Sequence, residues 1–451
     1  MNNLPVFTAM NEERTSKGCL FYCLLAMLIG PFALGLAMVG AWFVRESVAS
    51  SRLAARVAVL KANGLPVDDA TMKSYYDART DPSDSNAWNN IFATISSPEF
   101  TQASAKMPYL GNVPDVPGNG EWENETEVRG FLHDWKQLHD QVTSLTKNAH
   151  VVRFPIQFDS VNTLLPHVQQ SRTVARLIKL YGQVALRDRD SKRIREAVEA
   201  LMEVSWLANE HLLISDLVKM AIDSMSIGLL KQALEQDAIE TADLEKLLPL
   251  IQSSKDVSAA SWKAMFVAER GIALPAYKKM PMGRSSDANY YLDMVESYME
   301  VPTDGIDKFR TEVKKREAMF LNKANASWLS QMDSVVTQLA ASNLSSVAEA
   351  FVRVAVEHRI ATLAIGIRLF EDKHGKLPMS LAELSEFSID SRDLLPVGKK
   401  PFGYRVQNDG AILWGFELKE NEITPDEPPI LSSEPTDTID NRWIWSLKSI
   451  R

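Results

Sequence analysis

The chain has 451 residues, 45% hydrophobic and 24% charged, with a net charge of −9 and two cysteines. That balance excludes a general nucleic-acid binder, because neutralising phosphates requires clustered basic surface and here Lys and Arg are scattered. Both cysteines, Cys19 and Cys23, fall in one apolar segment, so residues 45–451 hold no thiol for a disulfide, a Cys-ligated zinc or a cysteine nucleophile.

Residues 1–18 form a polar N-terminal tail. The next 26 residues, Cys19 to Val44, carry no charge. As a helix they would measure about 39 Å, more than the roughly 30 Å hydrocarbon core of a bilayer. A transmembrane helix with limits Cys19 and Val44 is therefore expected. Val39-Gly40-Ala41 offers a small residue for signal-peptide cleavage, but signal-peptide cores run only about 7–15 residues, which favours an uncleaved signal anchor. Arg14 and Lys17 before the run face Arg45, Arg52 and Arg56 after it; long domains translocate largely regardless of such charges, so the N-terminus is expected inside and the C-terminal domain outside. Gly30-Pro31 predicts a kink, and Ala33, Ala37 and Ala41 form a small-residue stripe where a second helix could pair.

Residues 45–66 are expected as a helical stalk ended by Asn63-Gly64-Leu65-Pro66. A helical domain follows over 67–340. It holds a short helix near Asn86–Ser96 and a long Pro- and Gly-rich loop, 98–120, expected as a surface lid or a wrap-around loop. Three apolar stripes at helical spacing come next: Val174, Ile178, Tyr181 and Ala185; then Ala197, Leu201, Val204, Ala208 and Leu212; then Ile214, Val218, Ile222, Met225, Leu229 and Ala233. Breaks near Arg187–Asp190, Asn209–His211 and Gln236–Ile239 are short, which predicts antiparallel helical hairpins. The basic group from Arg187 to Arg195 is interrupted by Asp188 and Asp190 and reads as a solvated helix start. No hairpin recurs at a fixed period, so the expectation is an irregular bundle rather than a solenoid.

Residues 341–451 follow a different pattern, a small α+β C-terminal module. A long helix from about Ser346 to His374, with His358 on its apolar face, is stopped by Gly375. Ser380 and Glu383 have capping-box spacing for a short helix. The segments 401–407 and 411–416 flank Asn408-Asp409-Gly410, a three-residue hairpin signal. An acidic, Pro-rich loop over 417–440 then leads to Trp443, Trp445 and Leu447, which alternate as a third strand would. The fold class expected is mainly α, with a transmembrane helix, a helical-hairpin bundle and this α+β module.

The run Arg359–Leu384, which contains Gly375-Lys376-Leu377-Pro378-Met379-Ser380-Leu381, together with Pro401-Phe402-Gly403-Tyr404-Arg405, resembles the tail of a family of uncharacterised bacterial single-pass membrane proteins. Those tails are similar to type II secretion pseudopilin domains. Arg153-Phe154-Pro155 and Leu165-Pro166-His167 in the helical middle are also similar to that family. The resemblance implies a bacterial inner-membrane location and no activity. It departs from pseudopilins at Cys23, where they carry a Glu, and it lacks their Asp-rich calcium loop, so prepilin-type processing and calcium binding are not implied.

No nucleophile elbow, phosphate loop, zincin motif or dinucleotide fingerprint occurs. His133 and His139, six apart on one expected helix, do not share a face. His358 reads as a hydrogen-bonded core histidine, Glu210-His211 as a helix-junction pair and Asp68-Asp69 as helix-start residues. No catalytic, metal or cofactor-binding residue and no cofactor are expected. The function this supports is a membrane-anchored, non-enzymatic helical protein whose partners are the bilayer and a protein, cell-envelope component or second copy. The alternatives are an accessory component of a secretion or pilus-like system, or an enzyme with an unrecognised active site.

Overall fold

The computed structural model describes residues 12–449 except 112–114, 118–119, 148–150, 209, 279–283, 328–330, 332–333, 335–336, 339–343, 397–399, 408 and 416–442, and for 12–35 it describes the backbone alone. The protein is mainly helical, with one small antiparallel sheet.

Helix α1 (Glu12–Ala62) is unbroken across Gly30-Pro31 and ends where Gly64 takes a left-handed conformation. Among the described residues no helix is long and apolar enough to cross a membrane. The expected span lies on α1, but the side chains of its residues 19–35 lie outside the described ones. The segment expected as a stalk is docked on the body: Arg56 pairs with Asp293 at 2.7 Å and Glu296 at 2.8 Å on α12 (Arg284–Met299), and Leu53, Val57 and Leu60 pack on the core.

Helix α2 (Asp69–Asp77) starts at Asp68, which forms a capping box with Thr71, and α3 (Ser85–Ile95) follows. The lid expected over 98–120 is corrected at its start. Ser97 accepts from the Phe100 amide and Pro98 occupies the first turn, giving α4 (Pro98–Ser104), with Phe100, Met107 and Val116 buried. The Ser-Pro-Glu signal for that helix stands in the sequence, masked by the prolines after it. A second correction concerns His133 and His139. The chain breaks at Trp135, so His133 closes α5 (Glu125–Asp134) and His139 lies in α6 (Lys136–Leu145).

The centre of the bundle is α7 (Pro166–Arg187), α8 (Ser191–Ser205) and α9 (Leu213–Glu235), each packed on the other two. Asp190 caps α8 by accepting from the Arg193 amide, which makes the expected break. Gly182 allows the close approach of α7 and α9: a Cβ there would stand 2.5 Å from Leu229. The second and third stripes need correction at their junction. Helix α8 ends at Ser205, so Ala208 and Leu212 are buried in a connection, while Ile214 is 56% exposed. Periodicity counted across a chain reversal assigns the wrong face.

Helices α10 (Thr241–Ser253), α11 (Ala259–Lys278) and α13 (Ile306–Asn325) follow, with α12 packed on α1, α11 and α13, before the long helix α14 (Leu344–His374). Helix α14 packs on α9, α10 and α13, and one apolar core runs from Val67 to Leu447. Gly375 at φ +64° stops α14, and the Ser380–Glu383 capping box opens a 3-10 helix, Leu381–Phe387. Strands β1 (Gly403–Gln407), β2 (Gly410–Trp414) and β3 (Ile444–Lys448) form the sheet in that order. Gln407 pairs with Gly410, so the connection has two residues rather than the three expected. Trp445 is buried and β3 lies against α9; the expected acidic loop 417–440 lies outside the described residues.

Candidate functional site

A set of buried ionisable groups gathers where α9 begins. Pro166 opens α7, its missing N–H costing nothing in a first turn, and the next residue, His167, turns inward to stack on Phe154 at 4.5 Å between ring centroids. Its Nε2 meets Glu210 Oε1 from the α8–α9 connection, and both side chains are buried. His211 then takes a left-handed conformation, φ +57°, and its Nδ1 lies 3.6 Å from Asp216 Oδ1 in the first turn of α9.

The N-cap of α9 is Leu212, which has no side-chain acceptor. Glu269 of α11 replaces it, accepting from the Leu213 amide at 2.6 Å, so an orphan helix donor is satisfied by a different helix. Burial raises the Asp216 carboxyl above its ordinary range; the His211 imidazole works against this and Glu210 adds to it. Burial also raises Glu269, opposed by the Leu213 amide and reinforced by Asp216. Asp216 Oδ2 and Glu210 Oε2 are buried without a hydrogen-bond partner.

Asp216 also lines a half-open cleft of about 270 Å³ between α9, the α10–α11 connection and α14. Met220, Val257, Phe351 and Ala355 form its apolar wall, and Asp223 and Asp256 its acidic rim. Lys219 spans the mouth, its ammonium 3.5 Å from the Trp206 ring centroid and 3.7 Å from Asp223. A cation between an aromatic face and carboxylates is held by both, so an ammonium already fills this end of the cleft. Next to the cleft lies His358, where the sequence reading is met: it is fully buried, and Nδ1 lies 3.0 Å from the Ile251 carbonyl. A carbonyl accepts, so Nδ1 carries the hydrogen and Nε2 is left as an acceptor without a hydrogen-bond partner. Burial lowers this imidazole's pKa and keeps it neutral.

This arrangement sets carboxyls that burial has raised above their ordinary range beside a cleft that could take a small polar ligand. Among the described residues no group of three or more His, Cys, Asp or Glu is placed to hold a metal ion. Asp68 caps α2 as expected, and Asp69 also accepts from the Ser160 amide. Glu210-His211 does lie at a helix junction, but its partners are His167 and Asp216 rather than helix ends. Val44 is exposed on α1, as are Ala37 and Ala41 of the pairing stripe; the side chains of Cys19 and Ala33 lie outside the described ones. The one local signal for the cluster was Pro166-His167 opening a helix; its link to Glu210 is tertiary. The chain matches no family model, no curated protein and no solved structure.

Proposed function

We propose that the chain is a membrane-anchored, non-enzymatic helical protein, held by α1 through Cys19–Val44 and binding a cell-envelope or protein partner with its bundle. One observation carries the anchor. Leu36, Met38, Val39, Phe43 and Val44 are 52–66% exposed around α1, and the sequence behind them is uncharged back to Cys19. A helix apolar on all sides belongs in a core or a bilayer, and no described residue covers this one. The ion-paired docking of α1 on α12 begins only beyond this segment, consistent with a lipid boundary near Arg45.

For binding, the support is the cleft at α9, whose charged rim is paired within the protein and whose wall is apolar. The accessory role in a secretion or pilus-like system rests on the order of elements in the tail, a long helix, a Gly-Lys-Leu-Pro turn and an antiparallel sheet. The bacterial inner membrane with the body outside is the location this reading takes. Alkaline washing of membranes tests it: the full chain should stay in the pellet, and a chain beginning at Glu46 should move to the supernatant. Release of the full chain by the wash would refute the anchor.

A further inference from the structure

Four buried polar atoms without a hydrogen-bond partner fall between residues 210 and 216: Glu210 Oε2, His211 Nδ1, Ser215 Oγ and Asp216 Oδ2. Native interiors leave few such atoms, so a run of them marks a place where a partner is missing. Asp216 carries this run to the cleft beside α9, which it lines although it is only 3% exposed. The His211 ring stands 3.6 Å from Oδ1, beyond hydrogen-bond distance, and Oδ2 has no partner. An ionised carboxylate oxygen only accepts, so the missing group is a donor. Burial raises this carboxyl because its charge is poorly compensated, and a cation at Oδ2 would supply the compensation.

The rest of the cleft shows which kind of cation fits. Lys219, one turn after Asp216, lies across the mouth with its ammonium on the Trp206 ring and its ion pair with Asp223, a further turn along α9. Asp216 is thereby left for a second ammonium. Met220, Val257, Phe351 and Ala355 form an apolar wall, from which a hydrated inorganic ion gains nothing. Among the described residues, moreover, no group of three or more His, Cys, Asp or Glu is placed to hold a metal ion. We infer that this cleft binds a small aliphatic primary amine, whose ammonium donates to Asp216 and whose carbon chain lies along the apolar wall. A volume of about 270 Å³ suits a ligand of a few carbons, at the small end of ligand pockets. The inference rests on the binding role proposed for this cleft and not on the anchor.

The test is titration calorimetry of the full chain in detergent with n-butylammonium, which has the chain and charge of a lysine side chain. Saturable binding is expected. Both n-butanol, which lacks the charge, and tetramethylammonium, which lacks N–H donors, should bind roughly tenfold more weakly or worse. Asp216→Asn should weaken butylammonium roughly tenfold, whereas Lys219→Met, which removes the neighbouring ammonium, should strengthen it about threefold. Loss of structure would not produce opposite signs in two such close positions, and a cooperative thermal transition in each variant confirms that it folds. Butanol binding as tight as butylammonium overturns the inference while leaving the cleft an apolar binding site. Tetramethylammonium binding as tight also overturns it, since an aromatic face would then suffice to hold the cation. Butylammonium binding indifferent to both substitutions places the amine elsewhere and overturns it too. Binding of neither butylammonium nor butanol removes the binding role of the cleft and the inference together.

Discussion

Two groups of charged residues bracket α8, and they use the same side chains to different ends. At its start Asp188, Asp190, Arg129 and Arg193 are paired in the open, with Arg193 2.7 Å from both aspartates. Beyond its end His167, Glu210, His211 and Asp216 are paired inside. Solvent screens the first group, whose pairs are worth about 0–1 kcal/mol each. In the second, burial has removed water from the polar groups, so a member that loses its partner is left unsatisfied. Exposed charges tolerate rearrangement, whereas buried ones fix the path of the chain.

The largest expected effect breaks the buried side of the comparison. Glu210→Ala leaves His167 without its partner and should cost about 3–5 kcal/mol in urea unfolding. Replacing both, as His167→Phe with Glu210→Leu, should recover most of that loss; a double variant as unstable as the single one would show that packing, not pairing, sets the cost.

A second effect, of about 3 kcal/mol, comes from His139, which stacks on Tyr181 at 3.6 Å and whose pKa burial pushes down to about 4, against the opposing charge of Asp140. Because the unfolded chain takes up this proton first, stability is full above about pH 6.5 and is lost as pH falls toward 4. The variant His139→Phe should remove that part of the slope. Retention of the full slope in thermal unfolding would assign it to another group.

The smallest effect compares two aspartates directly. The hydrogen bond from Arg129 holds Asp188 below its ordinary range although burial raises it, so its contribution is present above about pH 4 and lost on acidification. For Asp216, raised by burial, the sign is opposite: stability is full below about pH 4 and lost as pH rises through the folded pKa. Near neutral pH, Asp188→Asn should destabilise by under about 1 kcal/mol, and Asp216→Asn should stabilise. Equal signs in the two variants would erase the distinction between the groups.

Legibility in the sequence follows the same division. Local rules sufficed for the break near Arg187–Asp190, Gly375 stopping α14, the Ser380–Glu383 box and the strand alternation at Trp445 and Leu447. They failed at Ala208, Leu212 and Ile214, where the chain turns within a run that still looks periodic. Nothing local joins His167 to Glu210, 43 positions away, or sends Glu269 from α11 to complete α9. The sequence supplied these residue types, but their burial is a property of the packed bundle.

Helix α1 carries one more consequence. It has no break between Glu12 and Ala62, and its last third is fastened to α12 through Glu46, Ala49 and Arg56. Such a rod has no swivel, so turning its outer half by one residue, about 100°, would present a different side of the body in the same direction. Inserting a single alanine before Arg45 is thus a geometric intervention: it rotates the whole body about the rod while leaving every contact within the body unchanged.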